Sequence, residues 1–469
     1  MVSRAHKSLN KNIQCAVQIS MLDQVAWRAY CPGNDNERTS VSANRLSTDR
    51  QPIRRTRSRV FVAALGSLLA LTFFPATSQA APATWNGEAI ISAPATGNGW
   101  EPAIAADPSA PYVYAAWMQY SGSKIYIALR VSADGGTTWG PSKRLVQSNQ
   151  GQYDIVLATT STGAVYATYM QGNHIQFIKS TNHGATWSSP IQVSGGTWAD
   201  KPWIATSASG ADVYITWTTR GNLFAVSSHN SGSTWSSPLQ VTNETGHYYY
   251  SNGGAVLPNG NAVMVGSEYP ESGNATGATG PVPIVEFRTT NGGTSWSRTV
   301  VDTLNTGATY ATSSVTTVAA DANGTLVLVY SGSNVVGAAG HVYVRRSTDS
   351  GLSWGPATEI TNSAAGADAT SVAAAGTGNG QFTVTWMDAR SGAWNVWQRG
   401  STDGGLTWSA DSKVSDAIAG ATYKTSTGFG LPYGDYDAVA INSSGKTVAI
   451  MGEGNATQTS GDIWVNRQS

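Results

Sequence analysis

The stretch Ser401-Thr402-Asp403-Gly404-Gly405-Leu406-Thr407-Trp408 shows how this chain is organised, because the same pattern occurs six times. The earlier copies run from Ser132 to Trp139, Ser180 to Trp187, Ser228 to Trp235, Thr289 to Trp296 and Ser347 to Trp354. They share the pattern Ser/Thr-x-Asp/Asn-x-Gly-x-Ser/Thr-Trp, and their third positions are 48, 48, 61, 58 and 54 residues apart. A motif that recurs at such a period indicates a repeat architecture.

The residue types of the repeat are those of a hairpin turn. Asp or Asn can hydrogen-bond the backbone two residues further on, and Gly supplies a positive φ. Ser or Thr adds a further local bond from its side chain. The closing Trp is large and apolar, so we expect it to pack beneath the turn.

The repeat resembles the Asp-box, or BNR repeat, of the sialidase superfamily and related β-propellers. The resemblance implies that each box joins the third and fourth strands of a propeller blade, on the face opposite the active site. We therefore expect the boxes to be structural, since turn residues of this kind serve the fold.

The segments between the boxes are strand-like, with Val, Ile, Ala, Thr and Tyr punctuated by Gly, Asn, Asp and Ser. Each repeat predicts four strands. After the sixth box, residues 437–441, 447–451 and 462–466 predict three more, and residues 85–92 resemble a lone fourth strand. The sequence thus predicts an all-β, seven-bladed β-propeller over residues 82–469, with six boxes, closed by an N-terminal strand. The alternative is six blades, as in catalytic sialidase domains.

The first 80 residues differ from the rest. A basic run at 54–59, an apolar run at 60–76 and small residues at 78–80 predict a signal peptide over residues 54–80, cleaved near Ala80-Ala81. Residues 1–53 are interpreted as an unstructured leader or a misassigned start. We therefore expect a secreted protein that does not span a membrane once processed.

The composition beyond the leader excludes several classes of protein. Both cysteines, Cys15 and Cys31, lie in the leader, so the exported part has neither disulfides nor a thiol nucleophile. Residues 81–469 carry 17 Lys and Arg against 24 Asp and Glu, a net charge of −7, so we expect no nucleic-acid partner. There is no Cys/His zinc pattern and no HExxH, and we expect no metal and no cofactor. We expect a monomer.

The face opposite the boxes holds the loops that could form a site over the central channel. It is rich in aromatic and acidic residues, which suit sugar stacking and acid–base chemistry. Among others, the connections on this face carry Glu101, Tyr120, Tyr153, Asp154, Asp200, His247, Tyr248, Tyr250 and Asp368. From this face we select as substrate-binding candidates Arg220, Arg390, Lys201, Trp100, Trp203, Tyr153 and Tyr249, and as catalytic candidates Asp388, Glu268, Tyr436 and Asp435.

The arginine pattern departs from that of true sialidases. The resemblance implies three arginines that hold the substrate carboxylate, the first in an Arg-Ile-Pro type motif before the first blade, but this stretch is Trp100-Glu101-Pro102 here. Lys179, Arg130, Arg288, Arg346 and Arg399 recur just before boxes, which indicates a structural role. The cations that remain on the face opposite the boxes, at the mouth of the central channel, are therefore Arg220, Arg390 and Lys201.

Several functions are compatible with these residues. The leading hypothesis is recognition of extracellular glycans with hydrolysis of the exo-sialidase type. The alternatives are a non-catalytic lectin or adhesin, a protein-binding scaffold, and a polysaccharide lyase that uses His174 or His247 with a Tyr. The fold alone does not choose between them.

Overall fold

The computed structural model describes residues 80–92, 99–196, 198–270, 279–307, 316–333, 335, 338–361, 369–388, 390–391, 394–416, 437–453 and 462–469. Within these ranges the regular structure is entirely β: 28 strands form seven four-stranded antiparallel sheets. The seven-bladed propeller is therefore confirmed, and the six-bladed alternative is wrong. Seven blades form because the chain carries six boxed repeats and one further unit without a box.

The strands follow one another within each blade from the first, innermost strand to the fourth. Blade 1 contains β2 Gly99–Ala106, β3 Val113–Ser121, β4 Lys124–Ser132 and β5 Lys143–Arg144. Blade 2 contains β6 Gln152–Thr159, β7 Val165–Gln171, β8 His174–Ser180 and β9 Ile191–Gln192. Blade 3 contains β10 Asp200–Thr206, β11 Val213–Thr219, β12 Asn222–Ser228 and β13 Leu239–Gln240. Blade 4 contains β14 His247–Val256, β15 Ala262–Pro270, β16 Thr279–Thr289 and β17 Ser297–Gly307. Blade 5 contains β18 Thr316–Ala320, β19 Leu326–Gly332, β20 His341–Ser347 and β21 Thr358–Glu359.

The last two blades bring together the two ends of the described chain. Blade 6 contains β22 Ala369–Thr377, β23 Gln381–Asp388, β24 Asn395–Ser401 and β25 Ser412–Lys413. Blade 7 contains β26 Asp437–Ile441, β27 Thr447–Glu453 and β28 Asp462–Arg467, with β1 Ala89–Ile90 antiparallel to β28.

Each box is a turn held by its own side chains. In the first, Ser132 Oγ donates to Asp134 Oδ1 at 2.7 Å and accepts from the backbone N–H of Gly136 at 2.8 Å. Thr138 donates to the same carboxylate through its backbone and its hydroxyl. Burial alone would raise the pKa of Asp134, but the bonds from Thr138 and Ser132 lower it to about 2. Because these partners lie within seven residues, the turn is encoded locally.

Some of the cations beside the boxes join neighbouring blades. Lys179 Nζ donates to the carbonyl of Ser231 in the next box at 2.6 Å, and Arg346 Nε donates to Gly404 O at 2.6 Å. Arg467, after the last strand, donates to Gly135 O in the first box at 2.9 Å. In these cases the cation satisfies a turn carbonyl of the next blade, whereas Arg288 and Arg399 pair with carboxylates of their own blades, Glu286 and Asp411.

Seven hydrophobic clusters lie between adjacent blades, one at each junction of the ring, and a small eighth cluster of Tyr269 and Val282 lies within blade 4. The box glycines lie close to these junctions. A Cβ on Gly232, whose φ is +71°, would lie 2.3 Å from Phe177 in the preceding blade. The innermost strands surround a central channel of about 480 Å³. No helix in the described part of the chain has the length and apolarity needed to cross a bilayer.

Candidate functional site

The first strands of several blades share a bulge near the mouth opposite the boxes. The pairing shifts register between Trp100 and Ala103, between Tyr153 and Val156, between Asp200 and Trp203, and between Thr370 and Ala373. A residue inside each bulge has a left-handed backbone, with φ of 50° for Glu101 and Asp154 and of 52° for Lys201 and Ser371. Non-glycine residues in this region carry strain, and such residues cluster at functional sites.

Three of these bulge residues contact one another across blades 1, 2 and 3. Glu101 Oε2 accepts a hydrogen bond from the backbone N–H of Asp154 at 2.7 Å. Lys201 Nζ lies 2.7 Å from Asp154 Oδ1. Glu101 and Asp154 are buried, whereas Lys201 is partly exposed. The bulges therefore build a connected charged group at the channel rim, and Asp154 and Lys201 also line the channel.

A third carboxyl group, that of Asp200, lies beside the group that contains Glu101 and Asp154. Burial, and then the negative charge of Asp154, raise the pKa of Asp200 to about 6, and Lys201 opposes the shift. Tyr248 donates a hydrogen bond to Asp200 Oδ2 at 3.4 Å. The two aspartates thus have different environments, because Asp154 has an ammonium partner at 2.7 Å and Asp200 is desolvated beside a phenol.

Aromatic side chains surround these carboxyl groups. Tyr248 and Tyr250 have ring centroids 4.7 Å apart, and Tyr250 lies edge-on to Tyr269 at 5.7 Å. On the side of blades 1 and 2, burial raises the pKa of Tyr120, and the nearby Glu101 and Tyr153 raise it further. The rim therefore combines acidic groups with apolar ring faces.

Blade 6 holds the catalytic candidate Asp388 in a closed network. Asp388 is 1% exposed and accepts a hydrogen bond from the indole of Trp386 at 2.9 Å. Arg390 binds it through Nε at 2.8 Å and Nη2 at 2.5 Å, and also pairs with Asp411. The guanidinium lies 4.5 Å from the ring centroid of Trp397. Asp388 and Arg390 thus neutralise each other within the blade.

Blade 4 holds Glu268 in a second cluster. His247 Nδ1 lies 2.6 Å from Glu268 Oε1, and Arg298 contacts Glu268 Oε2. The predicted sugar-binding residue Tyr249 is fully buried, and its hydroxyl donates to Glu244. Arg298 also lies 5.8 Å from the Tyr249 ring centroid.

The remaining candidates occupy varied places. Arg220 is exposed in the turn between β11 and β12, Trp203 is half-buried and lines the channel, and Trp100 is 3% exposed. Tyr153 is half-buried in β6. Asp435 and Tyr436 lie outside the described residues, as does Asp368. His174, a lyase candidate, contacts Gly195 O at 3.2 Å.

Asp437, the first residue of β26 and the neighbour of the candidate Tyr436 in the sequence, lines the channel in blade 7. It is 7% exposed, and burial raises its pKa to about 7. Thr385 donates to Asp437 Oδ2 at 3.0 Å, while Oδ1 has no hydrogen-bond partner among the described residues.

The candidates selected from the sequence did not include Asp154, Asp200 and Tyr248, although all three lie in the connections that face the mouth. The available signal was an acidic residue at or near the start of a first strand in adjacent repeats. This pattern does not show which of the acidic residues belong to the site, because the ion pair of Asp154 with Lys201 and the desolvation of Asp200 arise between different blades.

The fold and its rim define a β-propeller with a charged, aromatic mouth. No model of a known protein family matches the chain, and no curated protein sequence is similar to it. Among solved structures, a PL25 polysaccharide lyase (an ulvan lyase) is 12% identical, with a TM-score of 0.51 over 79% of this chain and 94% of its own.

Two further structures have lower TM-scores. An α-L-arabinanase of Penicillium chrysogenum is 13% identical, with a TM-score of 0.48 over 82% of this chain and 98% of its own. The Hadza microbial sialidase Hz136 is 13% identical, with a TM-score of 0.44 over 76% and 73%. Sialidases are thus among the structures to which the chain is similar, and at these identities the likeness concerns the fold alone.

Proposed function

We propose that this chain is an exported propeller that binds glycans at the channel mouth and hydrolyses a glycosidic bond there. The observation that carries the proposal is the pair Asp154 and Asp200, two neighbouring carboxyl groups in different environments at the rim. Glycoside hydrolases typically use one protonated and one ionised carboxyl group. Pairs whose environments differ in this way identify the acid and its partner.

Asp200 has the role of proton donor. Its pKa of about 6 leaves a protonated fraction near neutral pH, and this fraction grows as the pH falls. Asp154 has the role of the ionised carboxylate, because Lys201 pairs with it at 2.7 Å. Its negative charge would stabilise the positive charge that develops on the sugar ring in the transition state.

The aromatic rim supports a sugar as the ligand. Tyr120, Tyr153, Tyr248, Tyr250 and Trp203 present ring faces and hydroxyls around the carboxyl groups. Aromatic faces provide apolar contact area, and tyrosine adds a polar group for hydroxyls. Trp203 also lines the channel, so a sugar at the rim would lie partly over its opening.

Release of sialic acid is the finer form of this proposal. It requires a cation that holds the sugar carboxylate, and the exposed Arg220 has this role. Arg390 is less suited to it, because its guanidinium already contacts Asp388 and Asp411.

The test uses the purified protein with a panel of sialylated, other acidic and neutral oligosaccharides, followed by mass spectrometry. We expect a released saccharide, and a loss of turnover of about 100-fold or more in Asp200→Asn, because removing a general acid typically costs 10²–10⁴-fold. Asp212→Asn is the matched control, since Asp212 pairs with the box residue His229 on the opposite face.

Other outcomes would contradict hydrolysis. An unsaturated product would indicate a lyase. Sugar binding without any product would indicate a lectin, and indifference to every sugar would indicate a protein-binding scaffold. Export is tested separately by sequencing the N-terminus of the secreted protein, which we expect to begin at Ala81.

A further inference from the structure

Glu244, His247 and Glu268 form a compact set of potential metal ligands apart from the Asp154–Asp200 pair. One carboxylate oxygen from each glutamate and one imidazole nitrogen all lie within 4.8 Å of one another. Glu244 lies in the connection between β13 and β14, His247 begins β14, and Glu268 lies in β15. Bonds of about 2.0–2.2 Å to one tetrahedral ion separate ligand atoms by roughly 3.3–3.6 Å. His247 Nδ1 and Glu268 Oε1 lie 2.6 Å apart, so these two side chains would move apart by about 1 Å when an ion binds between them.

The chemistry of the donor set indicates the class of ion. Imidazole with carboxylates suits zinc and similar divalent transition metals, whereas magnesium and calcium prefer oxygen ligands alone. Glu244 is exposed, the His247 side chain is 42% exposed and that of Glu268 is 6% exposed. The set is thus anchored on a buried carboxylate and open to solvent on one side, which leaves an ion an entry path and a position for water.

The side chains behind the set hold the two carboxylates in place. Arg298 contacts Glu268 Oε2. The hydroxyl of the fully buried Tyr249 donates to Glu244. Metal-ligating carboxylates are themselves hydrogen-bonded by such outer partners, which orient them toward the ion.

The charges of the cluster also favour a cation. The two glutamates carry two negative charges and Arg298 supplies one positive charge, so with a neutral imidazole one negative charge is left over. The backbone carbonyl and N–H of Glu244 are bound by the side chain of Asn222, at 3.2 and 2.9 Å, so this ligand sits on a fixed loop. A divalent cation would therefore be attracted by the excess negative charge, and it would bind to a loop whose backbone is already held in place.

We propose that Glu244, His247 and Glu268 bind a divalent transition-metal ion of the zinc type, which joins the connection after blade 3 to the first two strands of blade 4. Tyr248, the rim residue, lies between His247 and Tyr249 on β14, and successive side chains of a strand point to opposite faces. The ion would thus stabilise from behind the strand that carries the rim tyrosine. The proposal does not depend on glycan hydrolysis.

The test is titration of the EDTA-treated full chain with zinc chloride in a calorimeter, together with its thermal unfolding with and without zinc. We expect one saturable equivalent of zinc and a higher Tm, because an ion that binds only the folded state stabilises it. His247→Ala and the conservative Glu244→Gln should each weaken binding at least tenfold. Tyr249→Phe, which removes an outer partner, should weaken it about 10–100-fold.

His229→Ala is the matched control, because His229 also pairs with a carboxylate, Asp212 at 2.7 Å, but belongs to no three-ligand set found among the described residues. This variant should bind zinc like the unmodified chain. The proposal is overturned if the folded chain binds no zinc up to millimolar concentration. It is equally overturned if His247→Ala and Glu244→Gln, shown to be folded, bind zinc as tightly as the unmodified chain.

Discussion

Replacement of Glu286 by Gln should make the propeller more stable at alkaline pH and change little at acidic pH. Glu286 is 1% exposed in β16, where it accepts a hydrogen bond from the box indole of Trp354 at 2.6 Å. Burial raises its pKa from 4.5 to about 7, against the opposing effects of Trp354 and Arg288. At about 1.4 kcal/mol per pKa unit, this shift corresponds to about 3 kcal/mol.

A raised pKa means that the folded state binds the proton more tightly than the unfolded state, so the free energy of unfolding falls as the pH rises and Glu286 loses its proton. The contribution of Glu286 to the free energy of unfolding is fully present below pH 4.5 and is lost as the pH rises through about 7. Gln keeps an oxygen for the Trp354 indole and does not ionise, so it removes this loss.

The assay is urea unfolding of both proteins at pH 5 and pH 8. We expect a difference of less than about 1 kcal/mol at pH 5 and of up to about 3 kcal/mol in favour of Glu286→Gln at pH 8. Glu359→Gln, at an exposed position, is the control and should show no such difference. Parallel pH profiles of Glu286→Gln and the unmodified protein would refute the reasoning.

Three further predictions concern the rim and the boxes. The kcat/KM for glycan hydrolysis should fall as the pH rises above about 6, because Asp200 then loses its proton. A pH–rate profile without this decrease above about pH 6 would count against Asp200 as the proton donor. Lys179→Met should lower the free energy of unfolding in urea by about 1.5–3 kcal/mol, because it removes a charged inter-blade hydrogen bond, while the exposed Lys143→Met should have little effect. Ser132→Ala should lower the free energy of unfolding by about 1–3 kcal/mol in the same assay, since it leaves the buried backbone N–H of Gly136 unsatisfied. The control Thr137→Ala, at an exposed position, should lower it by less, and equal losses would contradict the role given to the box serine.

The candidate site was only partly predictable. The rule that selects connections opposite the boxes placed Lys201, Tyr153 and Trp203 at the mouth, and the structure puts Lys201 in the rim network with Asp154. The same rule selected Asp388 and Arg390, which the structure pairs with each other. A sequence shows that a carboxylate lies near the mouth, but it does not show whether an internal cation already neutralises it.

The repeat architecture and the position of the boxes follow from the sequence alone, because each box forms its hydrogen bonds within eight consecutive residues and recurs at blade length. The sequence favours seven blades but leaves six open, and the seven sheets of the structure decide between them. The rim is different. Asp154 meets Glu101 and Lys201, 53 and 47 residues away, only when three blades pack side by side around the channel. The raised pKa of Asp200 arises in the same way, since it depends on burial between blades and on the charge of Asp154. Local hydrogen bonding therefore determined the architecture, and inter-blade packing decided which charged groups meet at the mouth.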